Sequence, residues 1–86
     1  MKPSYRILIV DDEDNVRRML STAFTLSGQE TFCARDGSEA IRLFTDHPPD
    51  VVLMDIRMPV LNGIEALQQM HAQHPRIPVI LMTAYA

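Results

Sequence analysis

The chain has 86 residues, a net charge of −3 and an apolar fraction of 47%. That length suits one small domain, and that apolar fraction argues against an intrinsically disordered chain. The net negative charge gives no reason to expect direct nucleic-acid binding, which needs a basic surface. A single cysteine excludes both an internal disulfide and a cysteine metal cluster. The first apolar run is too short for a signal peptide or a membrane span, so we expect a soluble, cytoplasmic protein.

Short apolar runs predict four β-strands. Three runs are apolar at every position, which is typical of strands buried on both faces of a parallel sheet. The second run in the chain is weaker and is typical of an edge strand. In chain order the predicted strands are Ile7–Val10, Thr31–Ala34, Val51–Met54 and Val79–Met82.

Helical patterns separate these strands, at about residues 14 to 26, 38 to 45 and 63 to 73. Gly28 is placed to end the first helix, and Asp36 with Glu39 has the spacing of a capping box before the second. The order β-α-β-α-β-α-β predicts an α/β fold of the flavodoxin-like class, with right-handed crossovers and helices on both faces of the sheet.

The sequence ends just after the fourth predicted strand. Residues 1–86 are therefore expected to form an incomplete domain, truncated after that strand. An uncovered inner strand would expose both an unpaired edge and an apolar face. One interpretation of the chain is accordingly an inactive interaction fragment that self-associates through this edge.

Acidic residues gather where the predicted strands end. Asp11, Asp12 and Glu13 follow the first strand, Asp55 ends the third, and Thr83 ends the fourth. Ligands of open α/β sheets bind outside the carboxyl ends of the strands, near the switch point. In the strand order 2-1-3-4-5 the first, third and fourth strands are neighbours, so these side chains should converge.

Clustered carboxylates repel one another unless a cation holds them, and Mg²⁺ prefers oxygen ligands of this kind. A carboxylate at such an ion can attack a phosphoryl group and form an acyl phosphate. Each residue also has a plainer interpretation, because acids begin helices, Asp precedes loops and Thr favours strands. The combination over three strands favours a functional site.

Four segments together resemble the signatures of response-regulator receiver domains, the CheY-like family. The sequence is most similar to receivers of NtrC-class activators, in particular the AtoC type, which act with the alternative sigma factor sigma-54. The segments that carry the resemblance are residues 7–13, residues 52–59, Asn62-Gly63 and residues 81–84.

The resemblance implies a role for each matching residue. Asp55 would accept a phosphoryl group from the phosphohistidine of a cognate sensor histidine kinase. Mg²⁺ would be bound by Asp55 and Asp12 directly, by Asp11 through water, and by the backbone carbonyl of Arg57. Phosphorylation would control a transcription-activating output domain, which is absent from these residues.

The resemblance also assigns the residues after the fourth strand. Thr83 would contact the phosphoryl group and shift on activation, and the small Ala84 would leave access to it. Two departures weaken the match: Asn62 stands where the family usually has Asp, and the family's fifth strand, lysine and last two helices lie beyond Ala86. Losing the lysine should weaken stabilisation of the phosphoryl group, since charge-assisted contacts are the strong ones.

Other residue types receive structural interpretations. A hydrolase with an aspartate nucleophile would need a second carboxylate close behind Asp55, and Arg57 stands there. Cys33 is interpreted as a small apolar filler. The histidines are expected to be solvated and the methionines to pack in the core or loops, namely His47, His71, His74, Met19, Met54, Met58, Met70 and Met82.

Overall fold

The computed structural model describes residues 4–57 and 63–82. Strands and helices alternate along the chain as predicted, and each boundary lies within one residue of its predicted position. The elements are β1 (Arg6–Val10), α1 (Asp14–Leu26), β2 (Glu30–Ala34), α2 (Gly37–Asp46), β3 (Val51–Asp55), α3 (Gly63–Gln73) and β4 (Val79–Met82).

The four strands form one parallel sheet in the order β2-β1-β3-β4. This order confirms the flavodoxin-like prediction. The order of strand addition reverses at β1, because β2 pairs with one side of β1 and β3 pairs with the other. The carboxyl ends of β1 and β3 are therefore adjacent at the switch point of the sheet, where open α/β folds bind ligands.

The main core lies between one face of the sheet and helices α2 and α3. Burying these side chains is the main stabilising contribution, since the hydrophobic effect scales with apolar area removed from water. Met54 and Met70 are fully buried, which confirms their predicted packing. The core consists of Leu8, Val10, Ala34, Ala40, Phe44, Val52, Met54, Ala66 and Met70.

Helix α1 packs on the opposite face, over β1 and β2. It shields Ile9, while none of its own residues is fully buried. Met19 is 62% exposed, so its predicted packing is wrong. The physical reason is that α1 covers only part of this face, and Met19 borders an open cleft beside β3 and β4.

The predicted helix ends are confirmed, although the second bond of the predicted capping box comes from Arg35 and not from Asp36. The Asp36 carboxylate accepts a hydrogen bond from the Glu39 backbone N–H at 2.8 Å, and Glu39 accepts one from the Arg35 N–H at 2.9 Å. At the end of α1, Gly28 has φ of +87°, a left-handed conformation that closes a helix readily in glycine. Among the described residues, no helix has both the length and the apolar character to cross a bilayer.

Candidate functional site

Three carboxylates meet at the carboxyl ends of β1 and β3. One side-chain oxygen each of Asp11, Asp12 and Asp55 lies within 4.8 Å of the other two. Asp11 and Asp55 are buried, with 6% and 8% of their surface exposed, whereas Asp12 is exposed. The structure therefore brings together three of the four carboxylates that were predicted to converge, and Glu13 is not in this group.

Asp11 is held by its backbone and its side chain. Its N–H donates to the Ala34 carbonyl at 3.1 Å, which extends the β1–β2 pairing by one step. Its carbonyl accepts a hydrogen bond from the Arg17 guanidinium at 2.7 Å, and its carboxylate accepts one from the Glu13 N–H at 2.9 Å. The turn out of β1 is thus fixed at three points.

Burial raises the pKa of the Asp11 carboxyl above its ordinary value. The Glu13 N–H lowers this pKa in part, and the negative charges of Asp55, Asp12 and Glu13 raise it further. Like charges crowded at one buried site favour a cation among them. Oxygen ligands alone suit a hard divalent ion such as Mg²⁺, so these residues fit the metal that the sequence predicted.

We expect Asp11→Asn to raise the free energy of unfolding at neutral pH, without divalent ions, by about 0.5–2 kcal/mol. A raised pKa means that the charged Asp11 carboxylate opposes folding. Its contribution to stability is largest below the ordinary aspartate pKa and falls as pH rises through the raised value. Asparagine keeps the acceptor for the Glu13 N–H and removes the charge. Urea unfolding at neutral and acidic pH measures the gain, which should vanish in acid.

Asp46→Asn is the matched control for that measurement. It removes the same charge from an exposed position at the end of α2. Its free energy of unfolding should stay within about 0.5 kcal/mol of the parent's. A less stable Asp11→Asn at neutral pH would contradict the expectation.

Asp55 is the last residue of β3 and pairs with Met82 of β4. Its Oδ1 accepts a hydrogen bond from the Arg57 N–H at 3.0 Å, which turns the chain away from the strand. The start of α3 comes close to this turn, because the Gly63 N–H donates to the Ile56 carbonyl at 3.0 Å. A Cβ on Gly63 would lie 2.8 Å from the Asp55 carbonyl oxygen, so only glycine fits there without displacement.

A cleft of about 200 Å³ opens beside the carboxylates. Its lining combines acidic and apolar side chains. The helical pattern over residues 14 to 26 gave no sign that α1 lines the site, although a helix that starts three residues after Asp11 must border it. The lining residues are Asp11, Glu13, Val16, Met19, Leu20, Asp55 and Met82.

The roles predicted for four further site residues stay predictions. Thr83, Ala84 and Asn62 lie outside the described residues. Arg57 is described, and its N–H contacts Asp55, but the role of its carbonyl as a metal ligand stays a prediction. Asp11, Asp12 and Asp55 are thus the predicted residues that the structure places together.

A parallel sheet with an acidic cleft at its switch point is the architecture of a CheY-like receiver. The family model of the response regulator receiver domain matches residues 7–86. That match covers nearly the whole sequence, and the chain belongs to this family. The resemblance found in the sequence segments is therefore confirmed.

Curated relatives point to the same class. Regulatory protein AtoC of Escherichia coli K12 is 69% identical over 81 residues, which span 94% of this chain and 18% of AtoC. The transcriptional regulator NtrC of Klebsiella pneumoniae is 41% identical over 91% of this chain and 17% of its own. Sporulation initiation phosphotransferase F of Bacillus subtilis is 42% identical over 93% of this chain and 64% of its own. The chain thus spans less than two thirds of each relative.

Solved structures confirm the fold. Chemotaxis protein CheY4 of Vibrio cholerae superposes with a TM-score of 0.91 at 29% identity, over 98% of this chain and 72% of that one. Response regulator TrrA of Thermotoga maritima, solved in complex with Mg²⁺-BeF, superposes with a TM-score of 0.89 at 37% identity. That match covers 94% of this chain and 70% of TrrA.

Proposed function

We propose that Asp55 accepts a phosphoryl group from the phosphohistidine of a sensor histidine kinase, with Mg²⁺ as the required metal. The observation that carries the proposal is the cluster of three carboxylates within 4.8 Å of one another, beside a cleft at the switch point of the sheet. Membership of the receiver family supports the same reaction. The chain is not an enzyme in the ordinary sense, because it catalyses only its own phosphorylation and dephosphorylation.

The ligands proposed for Mg²⁺ are Asp12 and Asp55 directly, Asp11 through water, and the backbone carbonyl of Arg57. Mg²⁺ commonly takes one or two carboxylates and keeps several waters, which suits a site with one exposed and two buried carboxylates. The Mg²⁺-BeF complex of TrrA supports this choice of metal. When bound, the ion supplies positive charge that neutralises the transferring phosphoryl oxygens.

The chain's own residues prepare Asp55 as the nucleophile. The Arg57 N–H bonds Oδ1 and so orients the carboxylate, which makes Oδ2 the candidate attacking oxygen. The new bond joins this oxygen to phosphorus, the phosphorus–nitrogen bond of phosphohistidine breaks, and its electron pair returns to the imidazole. Apolar side chains of Val16 and Leu20 line the cleft beside the proposed acyl phosphate.

Two residues complete the proposed site. The Thr83 hydroxyl would donate a hydrogen bond to a phosphoryl oxygen and shift on activation. The small side chain of Ala84 would leave the phosphoryl group access to Asp55. Both roles follow from the family resemblance.

Phosphorylation is tested by intact mass after incubation with acetyl phosphate and Mg²⁺. We expect the parent chain to gain one phosphoryl group, and Asp55→Asn to gain none because an amide oxygen is a poor nucleophile. Asp46→Asn, a control that alters an exposed aspartate on α2, should react like the parent. Chelating Mg²⁺ should abolish the adduct.

An adduct that persists in Asp55→Asn would place the reaction on another residue and overturn the assignment. A folded parent that takes up no phosphoryl group would overturn the proposed function itself. Far-UV circular dichroism of each sample separates loss of chemistry from loss of fold.

The relatives also suggest what the phosphoryl group controls. NtrC is named as a DNA-binding transcriptional regulator and AtoC as a regulatory protein. We propose that this receiver acts in the cytoplasm and controls a transcription-activating output domain of a longer regulator that works with sigma-54. The receiver itself makes no direct contact with nucleic acid in this proposal.

Self-association is a second candidate function. Within the described residues, β4 pairs with β3 along one edge only. On the face that α1 covers incompletely, Ile80 is 52% exposed and lies beside the half-buried Leu53. A second copy could cover this edge and this apolar strip. Sedimentation equilibrium should then show a dimer that Ile80→Lys dissociates, and a monomer at high concentration would exclude this function.

A further inference from the structure

We propose that Arg17 is a positioning residue that holds the loop between β1 and α1 in the conformation that binds Mg²⁺. This inference rests on the proposed function, because it concerns the same metal site. Arg17 does not touch the reacting atoms. It acts through the backbone that carries the acidic residues.

Arg17 bonds to this loop with both its backbone and its side chain. Its backbone N–H donates to the Glu13 carbonyl at 3.1 Å, as the first turn of α1 requires. Its guanidinium donates to the Asp11 carbonyl at 2.7 Å and pairs with the Asp14 carboxylate. One residue therefore spans the whole loop from the end of the strand to the start of the helix.

The Arg17 side chain is largely buried, whereas arginine side chains are mostly exposed in proteins. The Arg17 side chain is 13% exposed, whereas that of Asp14, its ion-pair partner, is 78% exposed. Burying a charge is costly unless hydrogen bonds and an opposite charge compensate. A buried arginine bonded to a backbone carbonyl is more restrained than one on the surface, and it restrains that carbonyl in turn.

The bonded carbonyl belongs to the peptide unit that joins Asp11 to Asp12. Because a peptide unit is planar, fixing its oxygen also fixes the direction in which the chain enters Asp12. The Asp12 side chain is exposed, so neighbouring packing does little to place its carboxylate. Its distance from the Asp55 carboxylate therefore depends on the backbone that Arg17 holds.

Positioning and simple electrostatics predict opposite results when Arg17 is replaced. A positive charge near three carboxylates repels a bound cation, so electrostatics alone predicts tighter Mg²⁺ binding once the charge is removed. Positioning predicts weaker binding, because the loop loses its restraint. Partners that orient metal ligands typically contribute about 10- to 100-fold to metal affinity.

The test is Mg²⁺ titration of the ¹⁵N-labelled chain, followed by the backbone amide signals of the β1–α1 loop. We expect Arg17→Gln to bind Mg²⁺ about tenfold more weakly than the parent. Arg18→Gln is the matched control, because it removes the same charge from an exposed neighbour on α1. It should bind as tightly as the parent or slightly more tightly. Arg17→Lys keeps the positive charge but loses the planar fork of donors. Its Mg²⁺ affinity should therefore lie between that of the parent and that of Arg17→Gln.

Equal or tighter binding by a folded Arg17→Gln would overturn the inference. If Arg17→Gln loses its dispersed amide spectrum, the Mg²⁺ affinity of Arg17→Lys provides the test. An affinity equal to that of the parent would then overturn the inference. A parent chain that shows no Mg²⁺-dependent shifts would remove the metal site, and with it both the proposed function and this inference. If the parent binds Mg²⁺ and is phosphorylated while Arg17→Gln binds Mg²⁺ equally well, the inference is refuted and the proposed function stands.

Discussion

Replacing Phe44 with alanine is expected to lower the free energy of unfolding by about 3–5 kcal/mol, as for other large aromatic residues in cores. Phe44 is fully buried at the centre of the cluster between the sheet and helices α2 and α3. Its ring also contacts the His74 ring, with centroids 5.6 Å apart. Small domains have only about 5–15 kcal/mol in total, so the variant should lose a large share of its stability. Urea unfolding followed by far-UV circular dichroism measures the loss.

Leu26→Ala is the control, since it shortens a large apolar residue that is 84% exposed at the end of α1. Its free energy of unfolding should stay within about 0.5 kcal/mol of the parent's. A similar loss in both variants would mean that the cavity at Phe44 is not the cause. Phe44→Leu should lose less than Phe44→Ala, because it leaves a smaller cavity.

The strands could be predicted because their sequences leave few alternatives. Leu8, Ile9 and Val10 are consecutive and fully buried, which requires that both faces of β1 be covered. Such runs with helical patterns between them define a parallel α/β sheet. Exposure on the fourth strand was expected, but the particular exposed residue, Ile80, could not be predicted from a uniformly apolar run. It depends on how far α1 extends over the sheet, which is a property of the assembled fold.

The candidate site could be predicted in part for a similar reason. Asp11, Asp12 and Asp55 follow strands whose carboxyl ends must meet once the sheet order is known. Their unequal burial could not be predicted, because Asp11 continues the pairing with β2 while Asp12 already leaves the sheet. Arg17 also gave no signal, since an arginine in a surface helix is ordinary.

Gly63→Ala is expected to cost about 1–3 kcal/mol of stability, the usual range for overpacking. The added Cβ would lie 2.8 Å from the Asp55 carbonyl oxygen and 2.9 Å from the Ile56 Cα. Both atoms belong to the backbone and cannot rotate away, so either α3 or the end of β3 must move. Because the same backbone carries the proposed nucleophile, phosphorylation by acetyl phosphate should slow as well. Urea unfolding and the rate of adduct formation by intact mass measure the two effects.

Gly28→Ala separates the steric effect from the general cost of replacing a glycine. Gly28 has φ of +87°, which strains other residues, yet no atom lies within 4 Å of its added Cβ. The cost should be about 1–2 kcal/mol from the left-handed backbone. Gly28 lies in the turn between α1 and β2, so the phosphorylation rate of the folded protein should be unchanged. Equal slowing in both variants would show that lost stability, and not the close approach of α3 to Asp55, limits the reaction.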